Sequence, residues 1–189
     1  MTTAEHKEEL RRSVRAVRDA ASAALREDWS SAIAERVCAH PWFEVADAVH
    51  LYHAFGSEVG TGAIANRAWM DGKMVVMMIA LPDGGHEHVT IAPDTRYRRT
   101  RLGILEPLDA APYDPTTCGL ILVPALAVDE RCRRLGYGRG YYDRFLSTTS
   151  APRLGLAFEL QVVVDLPTEL HDLPLDAVAT EHRLILPPS

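Results

Sequence analysis

Three glycines alternate with larger residues inside the run Arg134-Leu135-Gly136-Tyr137-Gly138-Arg139-Gly140-Tyr141-Tyr142-Asp143. Glycine lets the backbone approach a ligand closely, so that successive N–H groups can point at an anion. A helix predicted to begin at Tyr141 adds the positive end of its dipole. The spacing matches neither the phosphate loop with its Gly-Lys-Ser/Thr ending nor the dinucleotide-binding fingerprint. The run therefore predicts a phosphate cradle, with a flexible basic turn as the alternative.

The side chains around these glycines suit the same chemistry. Arg134 and Arg139 can each bind a phosphate through two hydrogen bonds. Tyr141 and Tyr142 offer a flat aromatic face to a ring system, and Asp143 can hold a magnesium ion beside phosphates.

Charge is unevenly distributed along the second half of the chain. Residues 131–144 hold five arginines against one acid, whereas residues 154–182 hold six acids and neither lysine nor arginine. Together these two segments could bind an anion with its counter-cation. The alternative is chance variation of surface charge.

An amphipathic helix is predicted from about Ala4 to Leu25, because apolar residues recur there at alternating steps of four and three. At 100° per residue, Lys7, Arg11 and Arg18 fall along one border of the apolar stripe. They either extend over the edge of the core toward a neighbouring site or form an ordinary solvated flank. If Lys7 and Arg11 reach phosphates, we expect that substituting either leaves the stability almost unchanged, because both lie beside the apolar stripe.

Strands and helices alternate over most of the remaining chain. A second helix is predicted from an N-cap at Asp28 to a stop at Pro41, and further helices after Thr61 and from Tyr141 to Leu146. Strands are predicted at Asp47–His53, Lys73–Ala80, His86–Ile91, Thr95–Arg101, Cys118–Pro124 and Arg153–Phe158, and one or two more within Ala177–Leu186. Residues 129–140 are predicted to be a loop. The alternation favours an α/β fold with a largely parallel central sheet.

Composition narrows the class of protein. The chain has 189 residues, so one domain covering residues 1–189 is expected. Lys and Arg number 20 against 26 Asp and Glu, a net charge of −6, which disfavours nucleic acid or a membrane surface as partner. No long apolar run and no secretory signal are present. The three cysteines form no Cys-x-x-Cys pair, as is typical of a reducing compartment, so a cytoplasmic location is expected.

The glycine-rich run resembles the most specific motif of the 5-formyltetrahydrofolate cyclo-ligase family, also called methenyltetrahydrofolate synthetases. The resemblance covers nearly the whole chain. Further matching segments are Lys7-x-x-Leu10-Arg11, Ser57–Thr61, Leu102–Pro107, Leu154–Phe158 with Gln161, Leu166-Pro167, His171-Asp172 and Thr180-Glu181.

The resemblance implies a three-layer α/β/α fold, often monomeric. It implies ATP- and magnesium-dependent closure of 5-formyltetrahydrofolate to 5,10-methenyltetrahydrofolate, with release of ADP and phosphate. Residues implied to contact ATP are Lys7, Arg11, Arg134, Leu135, Gly136, Tyr137, Gly138, Arg139, Gly140, Tyr141 and Tyr142. Those implied to line the folate pocket are His53, Phe55, Glu58 and Tyr141. Asp143 and Asp172 are implied to hold magnesium, and Arg139, Tyr142 and Asp143 to be catalytic.

The sequence departs from the family pattern at a few positions. Ala125 stands where the family usually has glycine, Arg139 where lysine is commoner, and Leu102 where phenylalanine is usual. The strand around Met78 lacks the usual proline. Two alternatives therefore stand beside the cyclo-ligase: a non-catalytic folate- or nucleotide-binding module of the same fold, and an ATP-dependent ligase or kinase for another small molecule.

Three further features have two interpretations each. His86-x-His88 is a possible metal-binding pair or the surface of an edge strand. The arginines between Arg96 and Arg101 could attract the glutamate tail of a folate, or simply solvate an edge strand. Cys132, within the basic segment, is either a reactive thiol of lowered pKa or a passive loop residue.

Overall fold

The structure is a computed structural model, and it describes residues 2–81, 85–99, 105–108, 110–138, 140–169 and 172–188. Its α-helices are α1 Thr3–Ala20, α2 Ala23–Cys38, α3 Pro41–Val45, α4 Gly62–Met70 and α5 Tyr141–Leu146. Its strands are β1 Ala48–Leu51, β2 Met74–Ala80, β3 His86–Ile91, β4 Tyr97–Arg99, β5 Leu105–Pro107, β6 Leu120–Pro124, β7 Ala127–Asp129, β8 Arg134–Leu135, β9 Arg153–Leu156, β10 Val162–Val163, β11 Ala177–Ala179 and β12 Leu184–Ile185. Short 3-10 turns cover Pro115–Thr117 and Glu159–Gln161.

Within these ranges the main sheet has the strand order β12-β11-β9-β6-β1-β2-β3. The strands from β11 to β2 run parallel to their neighbours, whereas the edge strands β12 and β3 are antiparallel. The chain first adds β2 on one side of β1 and then returns to add β6, β9 and β11 on the other. The strand order therefore reverses between β1 and β6, and such a point opens a crevice at the carboxyl ends of the strands.

Helices cover both faces of this sheet. Side chains alternate along β1, so that Val49 packs with α2 and α4 on one face, while Ala48 packs with α5 on the other. Residues 120–123 of β6 are fully buried, as expected for a strand covered on both sides. The predicted three-layer α/β fold with a largely parallel sheet is confirmed.

The first two helices differ from the sequence-based prediction. One helix to Leu25 was expected, but α1 ends at Ala20 and α2 begins at Ala23. Ser22 is the N-cap of α2, and its hydroxyl accepts a hydrogen bond from the Leu25 amide at 3.2 Å. The predicted start at Asp28 is wrong because this cap lies earlier in the chain. No helix in the described ranges is long and apolar enough to cross a bilayer.

The predicted loop at residues 129–140 begins as a tight hairpin between β7 and β8. The buried Asp129 carboxylate accepts hydrogen bonds from the amides of Arg131 and Arg133, each at 3.0 Å, which fixes the turn. Cys132 lies inside this turn with φ +56° and is fully buried. Burial, followed by the charge of Asp129, raises the pKa of its thiol to about 11, so Cys132 is a passive residue.

The histidines of β3 face the α5 side of the sheet. His88 is buried, and its Nδ1 lies 3.0 Å from Nε2 of the fully buried His50 on β1. His88 is therefore an internal hydrogen-bonding partner and not part of an exposed edge surface. In the part of the chain that the structure describes, no group of three or more His, Cys, Asp or Glu side chains could hold a metal ion by itself.

Candidate active site

The residues singled out by the sequence gather at the carboxyl ends of the parallel strands. The turn carrying Glu58 follows β1, and the hairpin that leads into the glycine-rich loop follows β6. These two strands flank the point where the strand order reverses. Helix α1 packs beside the hairpin, where Val14 contacts Ala127 and Leu135 in a small apolar cluster. The helix thereby carries its basic border to this end of the sheet.

Lys7 on α1 is buried, with only 6% of its surface exposed. Its ammonium donates to Asp172 at 2.6 Å and to Glu169 at 2.7 Å. Burial by itself lowers the pKa of Lys7, but the hydrogen bonds to Asp172 and Glu169 outweigh it and the net pKa is raised. Lys7 is therefore protonated, and its ammonium group links the first helix to the acidic segment.

Arg11, one helical turn further, holds the glycine-rich loop. Its Nε donates to the carbonyl of Gly136 at 3.0 Å. Gly138 has φ +83°, and a methyl group there would stand 3.3 Å from the Arg11 guanidinium carbon. Glycine is thus required at this position both by the backbone conformation and by the close approach of Arg11.

Arg134 and Asp143 form an ion pair of 2.5 Å across the glycine-rich loop. The Arg134 guanidinium also lies over the Tyr142 ring, 5.7 Å from its centroid. Two polar atoms here are buried without a partner among the described residues, Nε of Arg134 and the Tyr142 hydroxyl. Gly140, with φ +66°, is the N-cap residue from which α5 starts, so α5 presents Tyr141, Tyr142 and Asp143 in its first turn.

A cavity of about 200 Å³ joins the basic and acidic segments. Arg134 lines one side of it, and Glu169 and Asp172 line the other. The predicted meeting of a basic and an acidic segment is therefore present in the fold. Carboxylates are hard oxygen ligands, and magnesium takes one or two of them together with phosphate oxygens and water. The donor chemistry of Asp143 and Asp172 fits that ion.

Glu58 is the acidic centre of the other half of the site. Its carboxylate accepts a hydrogen bond from the Phe55 amide at 2.8 Å, which closes the turn after β1. Burial, followed by the charge of Glu58, raises the pKa of Tyr52, of Tyr137 and of Tyr142. The structure thus brings Glu58 together with two tyrosines of the glycine-rich run, although about 80 residues separate them in the sequence.

His53 and Phe55 lie at the exposed rim of the same crevice. Phe55 is 56% exposed, and the His53 ring lies 6.0 Å from the ring of Tyr97 on β4. Burial, followed by the positive charge of Arg99, lowers the pKa of His53, which favours a neutral imidazole. The guanidinium carbon of Arg144 lies 5.2 Å from the centroid of the Tyr141 ring. The rings of His53 and Phe55 therefore form an aromatic border beside Glu58.

Some predicted residues contribute differently or lie outside the described residues. The side chain of Leu135 is buried in the apolar cluster, so it anchors the start of the loop. Arg139, His171, Arg101 and Leu102 lie outside the described residues. Arg98 is paired with Glu106 at 2.9 Å in the β4–β5 hairpin. Ala125 is buried without a positive φ, so its added methyl group is accommodated.

Two residues that hold the site together could not be assigned a role from the sequence pattern. The side-chain amide of Gln161 donates to the carbonyls of Ala125 and Leu126, each at 2.9 Å, and fixes the end of β6. Arg18 donates to Ser57 and to Tyr137, each at 2.9 Å. The helical spacing that places Arg18 beside Lys7 and Arg11 was the available signal, but its partners are not visible in the sequence.

A second cavity, of about 340 Å³, lies at the opposite end of the sheet. Its cations are already engaged, since Arg67 pairs with Asp71 and Lys73 donates to the carbonyls of Glu44 and Ala46. None of the described residues that were predicted for the site lines this cavity. The carboxyl ends of the strands remain the candidate active site.

A parallel sheet covered on both faces, with cations, carboxylates and a glycine-rich loop at its carboxyl ends, is the architecture of an α/β enzyme that acts on an anionic substrate. Residues 3–181 match the model of the 5-formyltetrahydrofolate cyclo-ligase family. The chain belongs to this family, and the predicted resemblance and enzyme class are confirmed.

Relatives with the same description cover most of the chain. A 5-formyltetrahydrofolate cyclo-ligase of Haemophilus influenzae is 34% identical over 67% of this chain and 72% of its own length. One from Mycolicibacterium smegmatis is 32% identical over 93% of this chain and 90% of its own. The solved structure of 5,10-methenyltetrahydrofolate synthetase from Aquifex aeolicus superimposes with a TM-score of 0.85 and 27% identity, covering 97% of this chain and 93% of that chain.

Proposed function

We propose that this protein catalyses the ATP- and magnesium-dependent cyclisation of 5-formyltetrahydrofolate to 5,10-methenyltetrahydrofolate, with release of ADP and phosphate. The observation that carries the proposal is one cavity lined by Arg134, which pairs with Asp143, and by Asp172, which pairs with Lys7. Glu58 lies in the separate turn after β1. The cavity suits the phosphates of a nucleotide. Glu58 suits a ring system with hydrogen-bond donors.

The chemistry explains why ATP is needed. A formamide carbonyl is a poor electrophile, and its oxygen is a poor leaving group. Transfer of the γ-phosphoryl group from ATP to the formyl oxygen releases ADP and converts that oxygen into a good leaving group. The N10 amine then attacks the formyl carbon, and phosphate departs with the oxygen. The protein must mainly align the two substrates and neutralise the transferring charge.

On the phosphate side of the site, ion pairs within the protein can be replaced by ion pairs with the nucleotide. Lys7 and Arg134 are each paired with a carboxylate in the structure. When nucleotide binds, we propose that these two cations turn to phosphate oxygens, whereas Asp143 and Asp172 hold magnesium. The ion supplies further neutralisation of the phosphate charge. Each cation that turns to phosphate leaves a carboxylate without its partner, and magnesium compensates that carboxylate. ATP and magnesium are therefore expected to bind as a unit.

Other residues position the substrates. Arg11 and the loop from Gly136 to Gly140 fix the backbone N–H groups of the cradle, and the buried hydroxyl of Tyr142 provides a donor close to the transferred group. Arg139 is proposed to neutralise the phosphoryl group from the same loop. Glu58 pairs with the amino and N–H donors of the pterin, while His53, Phe55 and Tyr141 border the ring.

The proposal extends to the setting of the reaction. We propose that residues 1–189 form one domain that acts as a monomer in the cytoplasm, without nucleic acid or membrane as a partner. The net charge of −6 supports this because a non-specific polyanion binder would be basic. Light scattering after gel filtration checks the oligomeric state.

The test is direct. Purified protein is mixed with 5-formyltetrahydrofolate, ATP and magnesium, and the near-ultraviolet band of the methenyl product is followed together with ADP release. We expect both products in equal amounts and neither when magnesium is chelated. A folded protein that binds both ligands without turnover would instead be a binding module. ADP release with another acceptor, but not with this folate, would indicate a different ATP-dependent enzyme.

A further inference from the structure

One buried guanidinium connects the glycine-rich loop to the turn after β1. Arg18, near the end of α1, is only 3% exposed. Its Nε donates to the Ser57 hydroxyl and its Nη2 to the Tyr137 hydroxyl, each at 2.9 Å. Ser57 belongs to the Glu58 turn, and Tyr137 lies between the first two glycines of the loop. Arg18 therefore contacts both halves of the site at once.

Tyr137 continues the connection across the crevice. Its hydroxyl accepts a hydrogen bond from Arg18 at 2.9 Å. It also lies close enough to Glu58 for that carboxylate to influence its pKa. Burial and then Glu58 raise the pKa of Tyr137 to about 12, which keeps the hydroxyl protonated. The Arg15 guanidinium packs over the same ring at 5.3 Å. Arg15 and Arg18, three residues apart on α1, therefore both hold the ring in its orientation.

The position of Arg18 is itself fixed. The Ser57 hydroxyl, which accepts from Arg18, donates to the carboxylate of Asp19. The chain of contacts therefore runs from Asp19 through Ser57, the residue before Glu58, and Arg18 to Tyr137. The remaining terminal nitrogen of Arg18, Nη1, is buried and has no partner among the described residues. A buried charged group held by two hydrogen bonds moves only when its neighbours move with it.

We propose that Arg18 is a positioning residue that couples the glycine-rich loop to the Glu58 turn through Tyr137 and Ser57, so that nucleotide on the loop strengthens folate binding at Glu58. The inference rests on the proposed function for the identity of the two ligands. A ligand that settles on residues 136–138 fixes Tyr137, and this fixes Glu58 in the orientation that the second ligand needs. By thermodynamic reciprocity, folate must strengthen nucleotide binding by the same factor.

The variant that isolates this coupling is Tyr137→Phe. It removes the hydroxyl through which Arg18 holds the glycine-rich loop but keeps the ring on which Arg15 packs. We measure the dissociation constant of 5-formyltetrahydrofolate by calorimetry, with and without a non-hydrolysable ATP analogue and magnesium. Wild type is expected to bind the folate at least about fivefold more tightly when the analogue is present. In Tyr137→Phe this factor, the ratio of the two folate dissociation constants, falls below about twofold.

Tyr113→Phe is the matched control, since Tyr113 is a partly buried phenol beside β3 and outside the candidate site. It should keep the wild-type coupling factor. A Tyr137→Phe protein with the full coupling factor, or a wild type in which the two ligands bind independently, would overturn the role of Arg18. A wild type that binds neither ligand would overturn the proposed function.

Amide hydrogen exchange tests the coupling between the loop and the turn in the ligand-free protein. Backbone amides of residues 57–59 are followed in wild type, in Tyr137→Phe and in Arg18→Lys, after near-ultraviolet spectra have shown that each is folded. Because lysine cannot bridge Ser57 and Tyr137 as a planar guanidinium does, both variants are expected to exchange faster at this turn. Exchange at residues 57–59 that is unchanged in Tyr137→Phe would show that the loop and the turn are independent.

Discussion

The ammonium nitrogen of Lys7 lies 2.6 Å from a carboxylate oxygen of Asp172, which is 165 positions further along the chain. Glu169 takes a second hydrogen bond at 2.7 Å. The expectation that Lys7 can be replaced without loss of stability is therefore wrong, because the side chain is buried and holds two carboxylates. The same contacts place its charge at the cavity where we propose that phosphate binds.

Replacing Lys7 with alanine is expected to lower both stability and activity. Two hydrogen bonds to charged groups disappear, which costs about 1–3 kcal/mol of unfolding free energy because the carboxylates remain partly exposed to water. The kcat/KM for ATP should fall about ten- to hundredfold. Lys73→Ala is the matched control: its ammonium also donates two hydrogen bonds, to the carbonyls of Glu44 and Ala46, at the opposite end of the sheet. An equal loss of kcat/KM in both variants would remove Lys7 from the site.

Asp143→Asn is expected to weaken catalysis more than nucleotide binding. The amide keeps the shape of the carboxylate but removes the charge that pairs with Arg134 and is proposed to hold magnesium. The kcat should fall at least about tenfold, and a higher magnesium concentration should be needed for half-maximal rate. Initial rates measured across a magnesium titration check this. Magnesium curves that superimpose on wild type, together with a lower Tm, would show that Asp143 only stabilises the start of α5.

Glu58→Gln separates the two ligands. Glutamine retains an oxygen that can accept from the Phe55 amide, so the turn after β1 should persist. The negative charge that we propose to pair with pterin donors is lost, and the folate KM should rise about tenfold or more while the ATP KM rises much less. Steady-state kinetics with each substrate varied in turn provide the comparison. An equal rise for both substrates would contradict the assignment of Glu58 to the folate.

Gly138→Ala tests the contact between the loop and Arg11. Any side chain at φ +83° strains the backbone by about 1–2 kcal/mol, and here the methyl group also displaces the Arg11 guanidinium. Gly72→Ala is the matched control, since Gly72 has φ +72° but open space around the added methyl. Both variants should lose similar stability in urea titrations. Only Gly138→Ala should raise the ATP KM, and a wild-type KM in that variant would refute the cradle.

The buried pair His50–His88 makes stability depend on pH. Burial, followed by the charge of His86, lowers the pKa of His88 to about 4, and burial also lowers the pKa of His50. Both histidines stay neutral in the folded protein, whereas the unfolded chain takes up protons below about pH 6.5. Their contribution to stability is therefore complete above pH 6.5 and declines as the pH falls toward 4, by up to about 1.4 kcal/mol per pH unit for each histidine.

The variant His88→Gln removes one of these titrating groups and retains an amide that can bond His50. Urea unfolding between pH 4 and 7 should show a shallower decline of stability than in wild type. Substitution of the exposed His182 by glutamine is the control and should leave the decline unchanged. An identical pH dependence in wild type and His88→Gln would show that His88 titrates normally in the folded state.

Local patterns predicted the main elements well. The apolar run of β2, the helix α5 and the glycine-rich loop each depend on residues adjacent in the sequence, so spacing was sufficient to find them. The hairpin β7–β8 was missed because its short strands are fixed by one buried side chain, that of Asp129, which binds amides two and four residues ahead. Nothing in residue type alone indicates that an aspartate will be buried in this way.

The candidate site was predictable in its components but not in its connections. Lys7 and Arg134 were singled out as cations by their positions on a helix border and beside the glycines. Their present partners, Asp172 and Asp143, were predicted as magnesium ligands and not as ion-pair partners. The bridge formed by Arg18 could not be anticipated either, because pairing between residues 18, 57 and 137 follows from the reversal of strand order between β1 and β6.

Helix α1 is made well before the residues that it packs on. Val14 packs on Ala127, Leu135 and Leu166, and Lys7 forms ion pairs with Glu169 and Asp172. None of these contacts can form until those later residues have left the ribosome. At translation rates of about 5–20 residues per second, the first helix therefore spends on the order of ten seconds without its final neighbours. Newly made chains therefore acquire the phosphate side of the site only after Asp172 has been made.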